Sequence, residues 1–236
     1  MSEEKKDNTD IKNSKYHTLF KETKPESREL KKSKNGQDCY IIKPAITEYR
    51  MFVDTFAEDQ RGLHEIFNTL WNSSNNDTLE LRINSWGGLI KEGQNFYNLI
   101  KNKFKGKTTT ILDSAGYSMG ALLFCAGDTR IVMEQSDLMF HDFSGFAYGK
   151  GQEIESQVEH NKKHIRNFFE VVVLKNNFLS KEEFNQMIIG KDFWMQVPEM
   201  CERGIATHVM VGGKLIKADK YLKKIKEQNK NDKKKK

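Results

Sequence analysis

Three observations predict an α/β fold built on a mostly parallel sheet. Runs such as Thr78–Asn84 (TLELRIN) alternate apolar and polar residues, as a strand does. Runs such as Gly62–Trp71 place Leu63, Ile66, Phe67 and Leu70 at helical spacing. The two kinds of run alternate along the chain, which is the mark of β-α-β units joined by parallel crossovers.

Taken in order, residues 1–48 are polar and rich in Lys, Glu and Asn, and are expected to form a largely disordered N-terminal extension. Within it, Tyr16–Phe20 is a candidate docking element and Cys39–Ile42 a short strand ended by Pro44. Residues 49–216 form the expected folded domain. Tyr49–Phe56 reads as a strand, Gly62–Trp71 as a helix and 72–77 as a loop. The strand Thr78–Asn84 runs into Ser85-Trp86-Gly87-Gly88, and Glu92–Phe104 follows as an amphipathic helix through Phe96, Leu99, Ile100 and Phe104. Thr108–Leu112 is a buried strand, and Ala121–Ala126 a short helix apolar on every side, stopped by Gly127.

Two further strand segments, Arg130–Met133 and Asp137–Phe140, precede the glycine-rich stretch Ser144–Gly151. Gln152–Asn176 reads as one long helix with Ile154, Val158, Ile165, Phe168, Phe169 and Val172 on its apolar side. It is too long to lie over one small sheet, so it is expected to protrude and pack against another subunit. Ser180 and Glu183 have capping-box spacing for a helix over Lys181–Ile189. A helix at Val197–Arg203 and strands at Ile205–Val211 and Leu215–Ile216 close the domain.

Composition narrows the function classes. The formal charge is +6, but residues 217–236 hold ten lysines against three acidic residues, which leaves the remainder of the chain at −1. This tail reads as a solvated, Lys-rich appendage, because aromatic interleaving is confined to Tyr221; the chain is not read as a nucleic-acid binder. No apolar run approaches the length a membrane span needs, and MSEEKKDNTDIKNSK lacks the apolar core of a secretory signal. Cys39, Cys125 and Cys201 are scattered and odd in number, as reduced thiols of a cytoplasmic protein would be. His160 and His164 stand four apart on the long helix without an evident third metal ligand, so neither metal nor cofactor is expected.

The chemistry-bearing stretch is Ile111–Phe143. Ser118 falls at a tight strand-to-helix turn within Gly116-Tyr117-Ser118-Met119-Gly120, and His141 ends a strand shortly downstream. A serine hydroxyl is a poor nucleophile until an adjacent base accepts its proton. A helix that begins after Ser118 turns free backbone N–H groups, that of Met119 included, toward the space where an oxyanion would develop. The elbow motif alone is weak.

Several segments together resemble the proteolytic subunits of the Clp proteases (ClpP). Ile83-Asn84-Ser85-Trp86-Gly87-Gly88 resembles that family's INSPGG segment, Gly116–Ala121 its nucleophile motif and Met139-Phe140-His141 its histidine motif. Gly190–Met195 resembles the aspartate segment, and Glu202–Ala206 the closing EYGLID. The match is collinear from Tyr49 to Val211. It implies the crotonase/ClpP-like fold with a protruding handle helix, Ser118 as nucleophile, His141 as general base and Asp192 as the acid that orients it. It also implies an oxyanion hole from the backbone N–H groups of Gly88 and Met119. Family members assemble as stacked heptameric rings around a closed chamber and work with hexameric ATPase unfoldases that feed them polypeptide. No Walker motif occurs here, so ATP would be used only by such a partner. The setting implied is a bacterial or organellar compartment, or a bacterial host carrying a virus-encoded member.

Two departures stand out. Trp86 replaces the family's proline, and Asp142-Phe143 replaces Gln-Pro after the histidine. Other readings stay open: a catalytically silent ring subunit or scaffold of the same fold, or a crotonase-type acyl-CoA enzyme that uses the paired amides without Ser118 and His141. An α/β-hydrolase esterase would need His208 as its late histidine and would leave the strand ending at His141 unused.

Overall fold

The computed structural model describes residues 10–31, 39–57 and 60–234. Twelve strands and seven helices follow in chain order among them. The N-terminal part gives β1 (Asp10–Asn13), β2 (His17–Lys24), β3 (Ser27–Lys31), β4 (Cys39–Lys43) and β5 (Ile46–Val53). The central part gives α1 (Gln60–Trp71), β6 (Thr78–Ser85), α2 (Ile90–Lys103), β7 (Thr108–Tyr117) and α3 (Met119–Ala126). Next come β8 (Thr129–Met133), β9 (Asp137–Phe140), α4 (Gly151–Phe169), α5 (Lys181–Ile188) and β10 (Phe193–Gln196). The chain closes with α6 (Val197–Glu202), β11 (His208–Val211), β12 (Lys214–Lys217) and α7 (Ala218–Lys234).

The sheet core is parallel, as the alternating pattern requires: β5 pairs β6, β6 pairs β7, β7 pairs β8, and β8 pairs β11, all in the same direction. Antiparallel strands flank it, β2 with β1 on one side and β12 on the other. The sheet branches at β7. Residues Thr109–Leu112 pair β8, whereas Ala115–Tyr117 peel away to pair β9, which carries β10 antiparallel on its far side. That branch positions the site, because β7 ends at Tyr117, directly before Ser118.

Helix α3 lies at the centre, and all eight of its residues are buried. Its C-terminal carbonyls are met by cations and hydroxyls: Lys101 Nζ donates to Ala126 O at 2.7 Å and Thr110 Oγ1 to Phe124 O at 2.8 Å. Around it Leu81, Ile83, Phe96, Leu123, Phe140 and Met195 are almost fully shielded from water. Each such side chain contributes about 1.5–3 kcal/mol by burial.

Three expectations are corrected. Residues 10–13, 17–24 and 27–31, expected within a disordered extension, form strands, whereas the short strand expected at Cys39–Ile42 is present as β4; β2 pairs β5 over eight residues and buries His17 and Leu19. Alternation in His17–Phe20 covers only four residues, too short a signal against so polar a background. The Lys-rich tail is helical over Ala218–Lys234: Ala218, Tyr221 and Leu222 make a stripe on α7 that packs against the core, while Lys220, Lys223, Lys224, Lys226 and Lys230 are exposed. Finally, the long helix does not run unbroken to Asn176. Helix α4 passes into a π-turn at Glu170–Leu174, where Val172 and Val173 are buried. The first two turns of α4 stand clear of the body and expose Val158, consistent with the expected protrusion.

Candidate active site

Ser118 is one of two non-glycine residues with positive φ among those described, at φ 53° and ψ −122°. Such a conformation costs on the order of 1–3 kcal/mol and persists only where the surroundings impose it. Here the backbone is held on both sides: Ser118 N–H donates to Met139 O at 3.0 Å, and Leu122 N–H donates to Ser118 O at 3.2 Å. The side chain is half-buried where β7 meets α3.

Strand register brings the three proposed triad residues to one place. Tyr117 of β7 lies opposite Met139 of β9, and Phe140 of β9 lies opposite Phe193 of β10. One step further along each strand are Ser118, His141 and Asp192, at the same end of three neighbouring strands. His141 is half-buried and Asp192 exposed. Among the described residues no hydrogen bond joins these three side chains in this structure.

The turn after β6 completes the surroundings. Gly87 has φ +99°, and a Cβ added there would meet Ser118 Cβ at 2.6 Å. Gly88 has φ +134°, and its added Cβ would fall 2.0 Å from Phe56 O. Only glycine satisfies both the backbone angle and the close approach. Phe56 clamps the turn by accepting from Leu89 N–H at 2.7 Å and donating to Gly87 O at 3.0 Å. Ser85 Oγ accepts from Gly87 N–H at 3.1 Å. Among the described residues, the N–H groups of Gly88 and Met119 make no hydrogen bond to protein. Two unengaged amides beside a serine can hold a developing oxyanion.

An aromatic shelf borders the serine. Tyr117 meets Trp86 and Trp194 edge-on, with ring centroids 5.4 Å and 5.0 Å away, and its hydroxyl donates to Asp137 at 2.9 Å. Burial pushes the Tyr117 hydroxyl pKa up, and the Asp137 carboxylate adds to the rise. On the other side a cleft of about 550 Å³ opens from Gly88 and Leu89, between Phe67 and Ile165. Asp142, next to His141, lines a cleft with Phe143 and Val158, and burial holds its carboxyl above the usual carboxylate range. His160 and His164 stack with centroids 5.7 Å apart, and His164 shares hydrogen bonds with Lys91 and Gln94. Among the described residues no cluster of three His, Cys, Asp or Glu is placed to hold a metal.

A strained serine at an elbow, with a histidine at the end of the neighbouring strand and two free amides, is the arrangement that a hydrolase-type site requires. The sequence model of the family described as Clp protease matches residues 34–212, and the chain belongs to that family, whose activity is peptidase. The match begins upstream of Tyr49, so β4 and β5 fall inside it. An ATP-dependent Clp protease proteolytic subunit of Cyanophora paradoxa is 30% identical over 149 residues, 60% of this chain and 73% of the relative. One of Carsonella ruddii (strain PV) is 26% identical over 145 residues, 58% of this chain and 71% of the relative.

Sequence reasoning missed three features: the shelf, in which Trp86 and Trp194 lie far apart along the chain, the clamp by Phe56, and a buried pair between His17 and Glu92. No helix among the described residues is long and apolar enough to cross a membrane.

Proposed function

We propose that this chain is a serine-type endopeptidase in which Ser118 attacks the scissile carbonyl and His141 takes its proton. Asp192 orients the imidazole, and the amides of Gly88 and Met119 hold the oxyanion. The observation that carries this reading is Ser118 at positive φ, wedged between the Gly87–Gly88 turn and a free helix N-terminus. The three side chains close to hydrogen-bond distance when substrate or neighbouring subunits order the β9–α4 segment; catalytic contacts are commonly looser without substrate. The cleft beside Gly88 receives a substrate side chain. Stacked rings form around a chamber, an ATPase partner supplies unfolded polypeptide, and the chain works in the cytoplasm without a cofactor of its own.

A fluorophosphonate probe tests the assignment. Label on the unaltered chain, lost in Ser118→Ala with assembly retained, is the expected result; undiminished label in Ser118→Ala removes it. A silent ring subunit is the second reading, favoured by the absence of a hydrogen bond between Ser118 and His141. It predicts no label on either chain.

A further inference from the structure

We infer that His17 is a positioning residue for the Gly87–Gly88 turn; the inference rests on the serine-peptidase reading above. His17 lies outside the stretch matched by the family model, which begins at residue 34. Its side chain is nevertheless among the most deeply buried polar groups described, at 2% exposure.

Nε2 lies 3.1 Å from Glu92 Oε1, across 75 residues of chain, and Glu92 is itself 9% exposed. Nδ1 is buried with no partner among the described residues, so the bond to Glu92 alone sets the ring's polar orientation. Two buried polar groups are retained at such a place only if each satisfies the other. The ring also packs against Phe56 and Phe96, with centroids 6.0 Å and 5.3 Å away, and Phe56 packs against Phe96 at 6.0 Å.

Both supports of the turn thus meet at His17. Phe56 is the residue whose backbone bonds Gly87 and Leu89 on either side of Gly88. Glu92 is the third residue of α2, the helix that begins directly after Leu89. A change at His17 therefore releases the ring of Phe56 and the first turn of α2 together. The Gly88 amide lies between them. Removing one oxyanion donor costs about 10²–10³ in kcat, and small displacements of such a donor take part of that loss.

The test compares His17→Leu, which keeps bulk without a donor, with His17→Gln, which can still donate to Glu92. Kinetics are read on the full chain with the best-cleaved member of a fluorogenic peptide-amide panel. The expected result for His17→Leu is a kcat at least tenfold lower, with KM within twofold and weaker inhibition by a peptide boronic acid by a similar factor. His17→Gln should recover to within about threefold of the unaltered chain. A kcat within twofold in His17→Leu, a loss confined to KM, or no recovery in His17→Gln overturns the inference. If His17→Leu does not fold, Glu92→Met removes the acceptor instead and is read by the same criteria. Fluorophosphonate labelling of the unaltered chain separates the two levels. Absence of label overturns both the peptidase reading and this one, whereas label with unchanged kcat in His17→Leu overturns the positioning role alone.

Discussion

Gly87 and Ser118 are packed so closely that a Cβ on the glycine would lie 2.6 Å from the Cβ of the serine. The relationship locks the two halves of the site, one from the turn after β6 and one from the end of β7. Neither can shift without the other.

Gly87→Ala is accordingly expected to fold but to misplace Ser118. The new methyl must move the serine or the turn, and φ +99° adds backbone strain of about 1–2 kcal/mol. The rate of fluorophosphonate labelling should fall at least tenfold, with a melting temperature lower by a few degrees. A variant that labels at the unaltered rate would show the contact to be slack.

The parallel core was legible because its signals are local. Thr78–Asn84 alternates cleanly, and α3 is apolar on every side because it is buried on every side. The candidate site rests on another kind of signal: no single motif carries it, and the reading uses the order of Gly88, Ser118, His141 and Asp192 along the chain. Pairing of β7, β9 and β10 brings the ends of these distant segments to one edge of the sheet. What stayed hidden depends on contacts with no local signature. His17 looks like any polar residue in a charged stretch until Glu92 is placed against it. The π-turn after Phe169 preserves the apolar spacing of a continuous helix, so periodicity does not betray it. In α7 the stripe Ala218, Tyr221 and Leu222 was outweighed by its lysines.

That stripe gives a stability prediction. Leu222 is half-buried against the core, whereas Lys223 is exposed. Leu222→Asp should destabilise the chain by about 1–3 kcal/mol, since it loses apolar burial and desolvates a charge. Lys223→Ser should stay within about 0.5 kcal/mol, as exposed substitutions do. Denaturant titration of the two variants checks it; equal effects would mean that α7 does not dock.

An ion pair sets an acid-dependent contribution. Arg203 grips Glu183 with two hydrogen bonds, Nη2 to Oε1 at 2.7 Å and Nη1 to Oε2 at 3.0 Å. The guanidinium, aided by the Ser180 cap, holds the Glu183 carboxyl down to about 2 from its usual 4.5. A depressed carboxylate pKa means stability that is present above about 4.5 and is lost as pH falls toward 2. Arg203→Met should therefore cost about 1 kcal/mol at neutral pH, where such pairs are partly screened. The difference from the unaltered chain should shrink as the pH is lowered through that window. Unfolding curves at pH 7 and pH 3 measure it, and a gap of constant size would exclude the pair as the cause.

The segment between β9 and α4 bears on assembly. Phe146 and Tyr148 are each 93% exposed, and a cleft of about 620 Å³ separates this segment from Val158 and Lys162 on the protruding helix. Two aromatic side chains open to water on an outstanding helix-and-loop element are a surface that a second copy of the chain can cover, and burial of large aromatic area drives association. Multi-angle light scattering should find a multi-subunit particle at micromolar concentration. Phe146→Asp together with Tyr148→Asp should shift the population to smaller species, because each places a charge where an apolar contact forms. The monomer's melting temperature should barely change, since neither side chain packs against its own core. A particle of unchanged mass in the double variant would locate the subunit contact elsewhere.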